Sequence, residues 1–249
     1  MDLQLTNTVV LVTGASRGLG AAIAIALAEE GAHVVAAARS VDSLKEVAAR
    51  GHGRISTIEA DMRDEESVSA VVPEVLVRHG RIDGLINNAG IAPAGKFATQ
   101  DPAVWKDALA VNVIAPMLLA QAAGVEMIKQ GGGRIVNVAS TTGVRGKPHL
   151  VAYSTSKSAV VRFTEALAAE WAAKNVQVNC IAPGAFVTEA QKAVTESPEM
   201  YAKRIAKIPA GRMADPAELV PLACLLVSPM SAFTTGATFV VDGGESGKL

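Results

Sequence analysis

Three polar residues in the stretch RIVNVASTTGVRGKPHLVAYSTSKSAVVRF have the types and spacing for acid–base chemistry. Tyr153 and Lys157 stand four apart in a helical pattern and therefore share one face of that helix. The same face continues through Val160, Thr164, Leu167 and Trp171, an apolar stripe that would seat the helix on a sheet. Ser140 closes the strand pattern RIVNVA and can point to the same place. A free tyrosine has a pKa of about 10, too high for efficient proton exchange at neutral pH. An ammonium nearby favours the phenolate, each pKa unit being worth about 1.36 kcal/mol. Tyr153 could then give a proton to a ketone oxygen or take one from an alcohol, while Ser140 hydrogen-bonds that oxygen. Each residue alone has a plainer reading: an amphipathic core tyrosine, a surface-hugging lysine, a turn serine. A Tyr-x-x-x-Lys pair by itself is common by chance.

A second constellation lies at the other end of the chain. Thr13-Gly14-Ala15-Ser16-Arg17-Gly18-Leu19-Gly20 follows a strand pattern and opens a helix. Glycines there let the backbone turn tightly, and exposed N–H groups at a helix start favour a phosphate. The spacing is not G-x-G-x-x-G, so the context of strand before and helix after carries the nucleotide reading. About 20 positions on, where an NAD site keeps a carboxylate, stand Ala38, Arg39 and Ser40. A guanidinium at Arg39 would hold a 2′-phosphate by charge-assisted hydrogen bonds, with Arg17 and Ser40 adding to it. This favours NADP(H), with NAD(H) as the alternative; a solvated surface arginine is the plainer reading of Arg39.

Elements must position both ends. Strand patterns occur at 8–13, 33–38, 54–59, 84–87, 134–139, 176–181 and 238–242, most of them continuously apolar, as in strands covered on both faces. Helical patterns fill the intervals, notably around 101–130 and 151–174. Gly31 ends the first helix, Asp42 is the expected cap of the second, and Asp101-Pro102 opens another. The alternation predicts one α/β domain over 1–249, a doubly wound parallel sheet flanked by helices on both faces. Segment 188–213 breaks the rhythm, interrupted by Pro198 and Pro209. Following a strand's carboxyl end, it is expected to lie over the ligand crevice as a lid.

Composition narrows the class. Of 249 residues, 23 are basic and 24 acidic, a balance that argues against nucleic-acid and electrostatic membrane partners. Cys180 and Cys224 lie in apolar runs and read as buried thiols, with no metal-ligand pattern. The uninterrupted apolar runs are short of a bilayer span and the start lacks a leader pattern, so a cytoplasmic protein is expected.

Taken together, these motifs resemble the short-chain dehydrogenase/reductases over essentially the whole chain. Besides TGASRGLG at 13–20, Ser140 and YSTSK at 153–157, the matching pieces are Asp61-Met62, Asn87-Asn88-Ala89-Gly90, Asn112, Pro183-Gly184 with Thr188, and VVDGG near the end. The resemblance implies a seven-stranded Rossmann-like sheet, a homotetramer, and hydride exchange with a ketone or secondary alcohol. It implies that Asp61 and Met62 contact adenine, and that Asn88, Ala89 and Gly90 lie beside the adenosine ribose. It assigns Ile181, Pro183, Gly184, Phe186 and Thr188 to the nicotinamide surroundings, Lys157 to the cofactor ribose, and Asn112 to a proton relay. Helices apolar on more than one face, as in MLLAQAAGVEMI, agree with burial in a subunit interface.

Two alternatives stand beside this reading. A β-ketoacyl carrier-protein reductase would use basic docking residues, for which Arg134 and Lys174 are the candidates. A non-catalytic NADP(H) sensor typically lacks the Ser, Tyr or Lys, all present here. For the substrate pocket the expected walls are Thr141, Thr142, Lys147, His149, Val151, Ala185 and Phe186 together with 188–213. Lys147 and His149 suit a hydroxyl or carboxylate, whereas Phe186 suits an apolar group.

Overall fold

The computed structural model describes residues 2–247. Among these, seven strands form one parallel sheet: β1 (Val9–Thr13), β2 (His33–Ala38), β3 (Ile55–Glu59), β4 (Gly84–Asn87), β5 (Gly133–Val138), β6 (Val176–Pro183) and β7 (Thr238–Val241). Their spatial order is β3-β2-β1-β4-β5-β6-β7. The winding therefore reverses between β1 and β4, and a crevice opens at the carboxyl ends of those two strands. Every residue of β1 is buried, because helices cover both faces. Val10 and Val12 enter the core on one side, with Val34, Ala36 and Ile86. Val9 and Leu11 enter the core on the other, with Val35, Ala37 and Leu85.

The first core is covered by α1 (Gly18–Glu29), α2 (Val41–Ala49) and α10 (Val220–Val227). The second is covered by α3 (Glu65–His79), α5 (Ala115–Lys129) and α7 (Val151–Trp171). Asp101 caps α4 (Pro102–Leu109) as expected, accepting from the Ala103 N–H at 2.8 Å. The second helix differs from expectation: Ser40, not Asp42, caps α2, accepting from the Ser43 N–H. Asp42 falls inside the first turn and pairs with Lys45 instead.

The pattern at 101–130 folds as one rod in which a five-residue π segment, Ala110–Ile114, joins α4 to α5. This Pro102–Lys129 rod is long and apolar enough to cross a bilayer by length and composition, but half of its most apolar window is buried. It packs on α3, β4, β5 and α7, as a core helix does. The short α6 (Thr141–Val144) follows β5, and segment 188–213 contains α8 (Lys192–Thr195) and α9 (Pro198–Ile205).

Candidate active site

The floor of the crevice is the turn after β1. Gly14 has φ +63°, and a Cβ there would stand 2.8 Å from the Ala89 Cα. At Gly20 a Cβ would stand 2.4 Å from the Gly14 carbonyl oxygen and the Asn88 amide nitrogen. No larger residue fits either place without moving backbone. The Asn88 side-chain amide donates to the carbonyls of Thr13 (2.9 Å) and Gly14 (3.2 Å). The Thr13 hydroxyl oxygen accepts from the N–H groups of Asn88 and Ala89, both at 3.1 Å. β1 and β4 are thus laced together where the winding reverses. Arg17 starts α1 without a side-chain cap, so the first N–H groups of that helix keep their capacity for an anion.

From this floor extends a cleft of about 670 Å³, ample for a dinucleotide. Gly14, Ser16, Arg17, Gly18, Leu19 and Gly20 line one stretch of it. Arg39 and Ser40 line its outer end with Ser43, and Asp61 and Met62 line the adjoining wall with Arg63. Arg39 makes no ion pair among the described residues. Arg17 does: its guanidinium lies 3.3 Å from Glu189. Ser43 and Arg63 were missed in the sequence, although Ser43 lies one helical turn from Ser40 and that spacing was a usable signal.

At the other end Ser140, Tyr153 and Lys157 line the cleft together with Ala89, Gly90, Pro183, Gly184 and Thr188. Ser140 follows β5 and caps α6, its oxygen accepting from the Thr142 N–H at 3.2 Å. Lys157 is buried, and its ammonium donates to the Val138 carbonyl at 2.7 Å. Desolvation brings its pKa down to about 8, against a smaller opposing effect of Cys180. Burial pushes the Tyr153 phenol up, and a hydrogen bond with Ser140 draws it partly back. In the protein alone, Lys157 is not among the causes that offset this rise. The ammonium is 6.0 Å from the Tyr153 ring centre and is turned toward a backbone carbonyl.

Asn112 sits in the π segment and is fully buried. Its amide donates to the Ile91 carbonyl and to the Ser156 hydroxyl and accepts from the Ile91 N–H, each at 2.9 Å. It stays behind the cleft wall: a Cβ on Gly90 would lie 3.2 Å from both the Asn112 oxygen and the Lys157 nitrogen.

Four expected residues fall elsewhere. Phe186 is only 4% exposed and packs in the core with Leu219. The cause is a short parallel bridge between Phe186 and Ala214 that turns its ring inward. Ala185 is likewise buried, against Ile208 and Met213, and Ile181 is fully buried within β6. Arg134 is no docking residue: it is 8% exposed at the amino end of β5, and its guanidinium donates to the Gly133 and Asn175 carbonyls.

A doubly wound sheet with a glycine turn at the winding reversal, and a Ser, Tyr and Lys beyond it, defines a nucleotide-binding α/β enzyme class. Comparison with known proteins narrows it. A family model described as enoyl-(acyl carrier protein) reductase matches residues 14–246. A D-threitol dehydrogenase of Mycolicibacterium smegmatis is 39% identical over 250 residues, covering 98% of this chain and 94% of that protein. The crystal structure of a putative NAD(P)-dependent gluconate 5-dehydrogenase from Beutenbergia cavernae, with bound NADP, superposes with TM-score 0.94 at 39% identity, both chains fully covered. A gluconate 5-dehydrogenase from Burkholderia cenocepacia, in complex with NADP and tartrate, gives 0.94 at 32% identity, covering 100% of this chain and 98% of that one. The chain belongs to the short-chain dehydrogenase/reductase family and is an oxidoreductase acting on alcohol and ketone groups.

Proposed function

We propose that this enzyme exchanges hydride between NADP(H) and a small polyhydroxylated alcohol or its ketone, with Ser140, Tyr153 and Lys157 as its catalytic set. The observation that carries the reading is one continuous cleft with these three residues at one end and the glycine turn at the other. The turn suits a pyrophosphate because its glycines pack against Ala89 and Asn88 and so bring the uncapped start of α1 to the cleft floor. The unpaired Arg39, with Ser40 and Ser43 at the start of α2, suits a 2′-phosphate. Both solved neighbours described above hold NADP. When bound, the nicotinamide supplies or accepts the hydride.

The protein's own residues handle the oxygen and its proton. Ser140 holds the reacting oxygen by a hydrogen bond, and Tyr153 gives it a proton in reduction or removes one in oxidation. Lys157 would hold the cofactor ribose, while Asn112 fixes the wall through Ile91. Asp61, Met62, Asn88, Ala89 and Gly90 border the adenosine half, and Pro183, Gly184 and Thr188 border the nicotinamide. Segment 188–213 serves as the lid, its first turn already forming the cleft edge. A homotetramer is the expected assembly, and exposed Leu109, Met117 and Val125 along the α4–α5 rod supply apolar surface for it.

The test is NADPH oxidation against a panel of ketones and keto-sugars, with NADH in parallel. Tyr153→Phe is expected to lower turnover about 10²–10⁴-fold with NADPH affinity within a few-fold. Retained turnover removes Tyr153 from the mechanism. Arg39→Glu is expected to move the NADPH/NADH preference at least about tenfold toward NADH, since a charge-assisted hydrogen bond is worth roughly 1.5–3 kcal/mol. An unchanged ratio of kcat/KM sinks the phosphate assignment.

A further inference from the structure

Three segments leaving the carboxyl ends of adjacent strands meet on the edge of the sheet from which the cleft also opens: the loop after β5, α9 after β6, and the turn after β7. Each contributes a charged side chain. Arg204 of α9 grips Glu245 through two hydrogen bonds of 2.7 and 2.6 Å. Their side chains are 18% and 17% exposed. Lys147, from the loop, places its ammonium 3.9 Å from the same carboxylate. Lys207, just beyond α9, is close enough to repel that ammonium. Two cations therefore share one carboxylate with a third beside them, and the Arg204 fork already engages both of its oxygens. Desolvation and then Arg204 hold the Lys147 ammonium below the usual lysine range, with Glu245 opposing and Lys207 adding a little.

The loop that carries Lys147 is pinned on both flanks. The Lys147 N–H donates to the hydroxyl of Ser154, the residue after Tyr153, at 3.3 Å. His149 has φ +64°, a left-handed conformation that a non-glycine residue keeps only under surrounding constraint. Its carbonyl accepts from the Gly95 N–H at 2.9 Å, which ties the loop to the chain beyond β4. Despite this fixing, the Lys147 side chain remains 44% exposed. A cation held in place, under-neutralised and open to solvent lies between Ser140 and Tyr153 in the chain.

We propose that Lys147, backed by Arg204 and Lys207, is an anion seat beside the substrate position that takes the carboxylate of a polyhydroxy acid. The inference rests on the hydride-transfer site proposed above and names the substrate class of that site. An incoming carboxylate supplies the missing counter-charge, whereas a neutral polyol gains nothing there.

The experiment compares gluconate with sorbitol, which differ in charge but share a six-carbon chain, by calorimetric titration into the NADP⁺-loaded protein. Gluconate is expected to bind at least tenfold tighter, with the advantage shrinking as salt rises. Lys147→Met removes that advantage and Lys147→Arg keeps it. Equal affinities in the unaltered protein, no gluconate binding, or a Lys147→Met variant that loses both ligands alike would overturn the seat. Gluconate binding that depends on Lys147 without any NADPH formation supports the seat and counts instead against the hydride-transfer reading.

Discussion

The floor of the cleft and its outer rim are held together by different physics. At the floor, Thr13, Gly14, Asn88 and Ala89 are joined by four hydrogen bonds between the ends of β1 and β4. At the rim, segment 188–213 packs mainly on its own apolar side chains, Ile208, Met213, Val194, Tyr201 and Ile205, which meet the preceding chain at Ala185. Its forward edge touches the floor through the Arg17–Glu189 pair, in which both side chains are 67% exposed. Exposed pairs of this kind contribute about 0–1 kcal/mol, and four hydrogen bonds of about 0.5–1.5 kcal/mol each contribute more than that. A surface that must meet a pyrophosphate gains from being shaped beforehand. A surface that must admit and release a substrate gains from weak, exchangeable contacts.

Substitutions can break that contrast at three depths. The largest effect is expected at Lys157, the buried cation at the catalytic end of the cleft. Its drop from the ordinary 10.5 to about 8 corresponds to a folding penalty of roughly 3 kcal/mol at neutral pH. The folded protein binds fewer protons than the unfolded chain between these values, so the penalty is full below pH 8 and gone above about 10.5. Lys157→Met is expected to lose turnover while melting no lower than the unaltered protein at pH 7, the relief offsetting the loss of the Val138 hydrogen bond. Its relative advantage should then shrink as melts are repeated up to pH 10. Equal destabilisation at both pH values contradicts a desolvated ammonium.

Next comes the floor itself. Gly14→Ala adds a left-handed non-glycine residue and an overlap with Ala89, together on the order of 3 kcal/mol. That corresponds to a fall of roughly 6–12 °C in Tm. A melt within a degree or two of the unaltered protein shows the floor to be softer than its contacts suggest. The smallest effect belongs to the rim. Glu189→Gln should change Tm by less than about 2 °C, and by nothing at high salt. A large loss there would make the rim as rigid as the floor and remove the contrast.

Most of the scaffold was legible because its strands are continuously apolar and its helices are punctuated. β2 and β4 coincide with their sequence patterns, and β6 runs only two residues further, to Pro183. The glycine turn and the Ser140, Tyr153 and Lys157 set were legible as spacing, and all of them line one cleft. What failed depended on contacts distant in sequence. The inward turn of Phe186 is set by Ala214, 28 residues on. The protonation balance of Tyr153 and Lys157 follows from desolvation, which no local pattern encodes. The cap of α2 falls on Ser40, two residues before the expected Asp42, because the helix starts directly at the strand end.

The π segment at Ala110–Ile114 has a consequence for how this chain can change its length. One residue more than an α-turn needs is looped into the rod there. A regular helix advances about 100° per residue, so deleting that residue would restore smooth winding and rotate α4 by the same angle against α5. Asn112 would leave Ile91, and Lys106 and Asp107 would swing toward the face now occupied by Ala108. In the middle of the rod, the residue count itself holds these contacts in place.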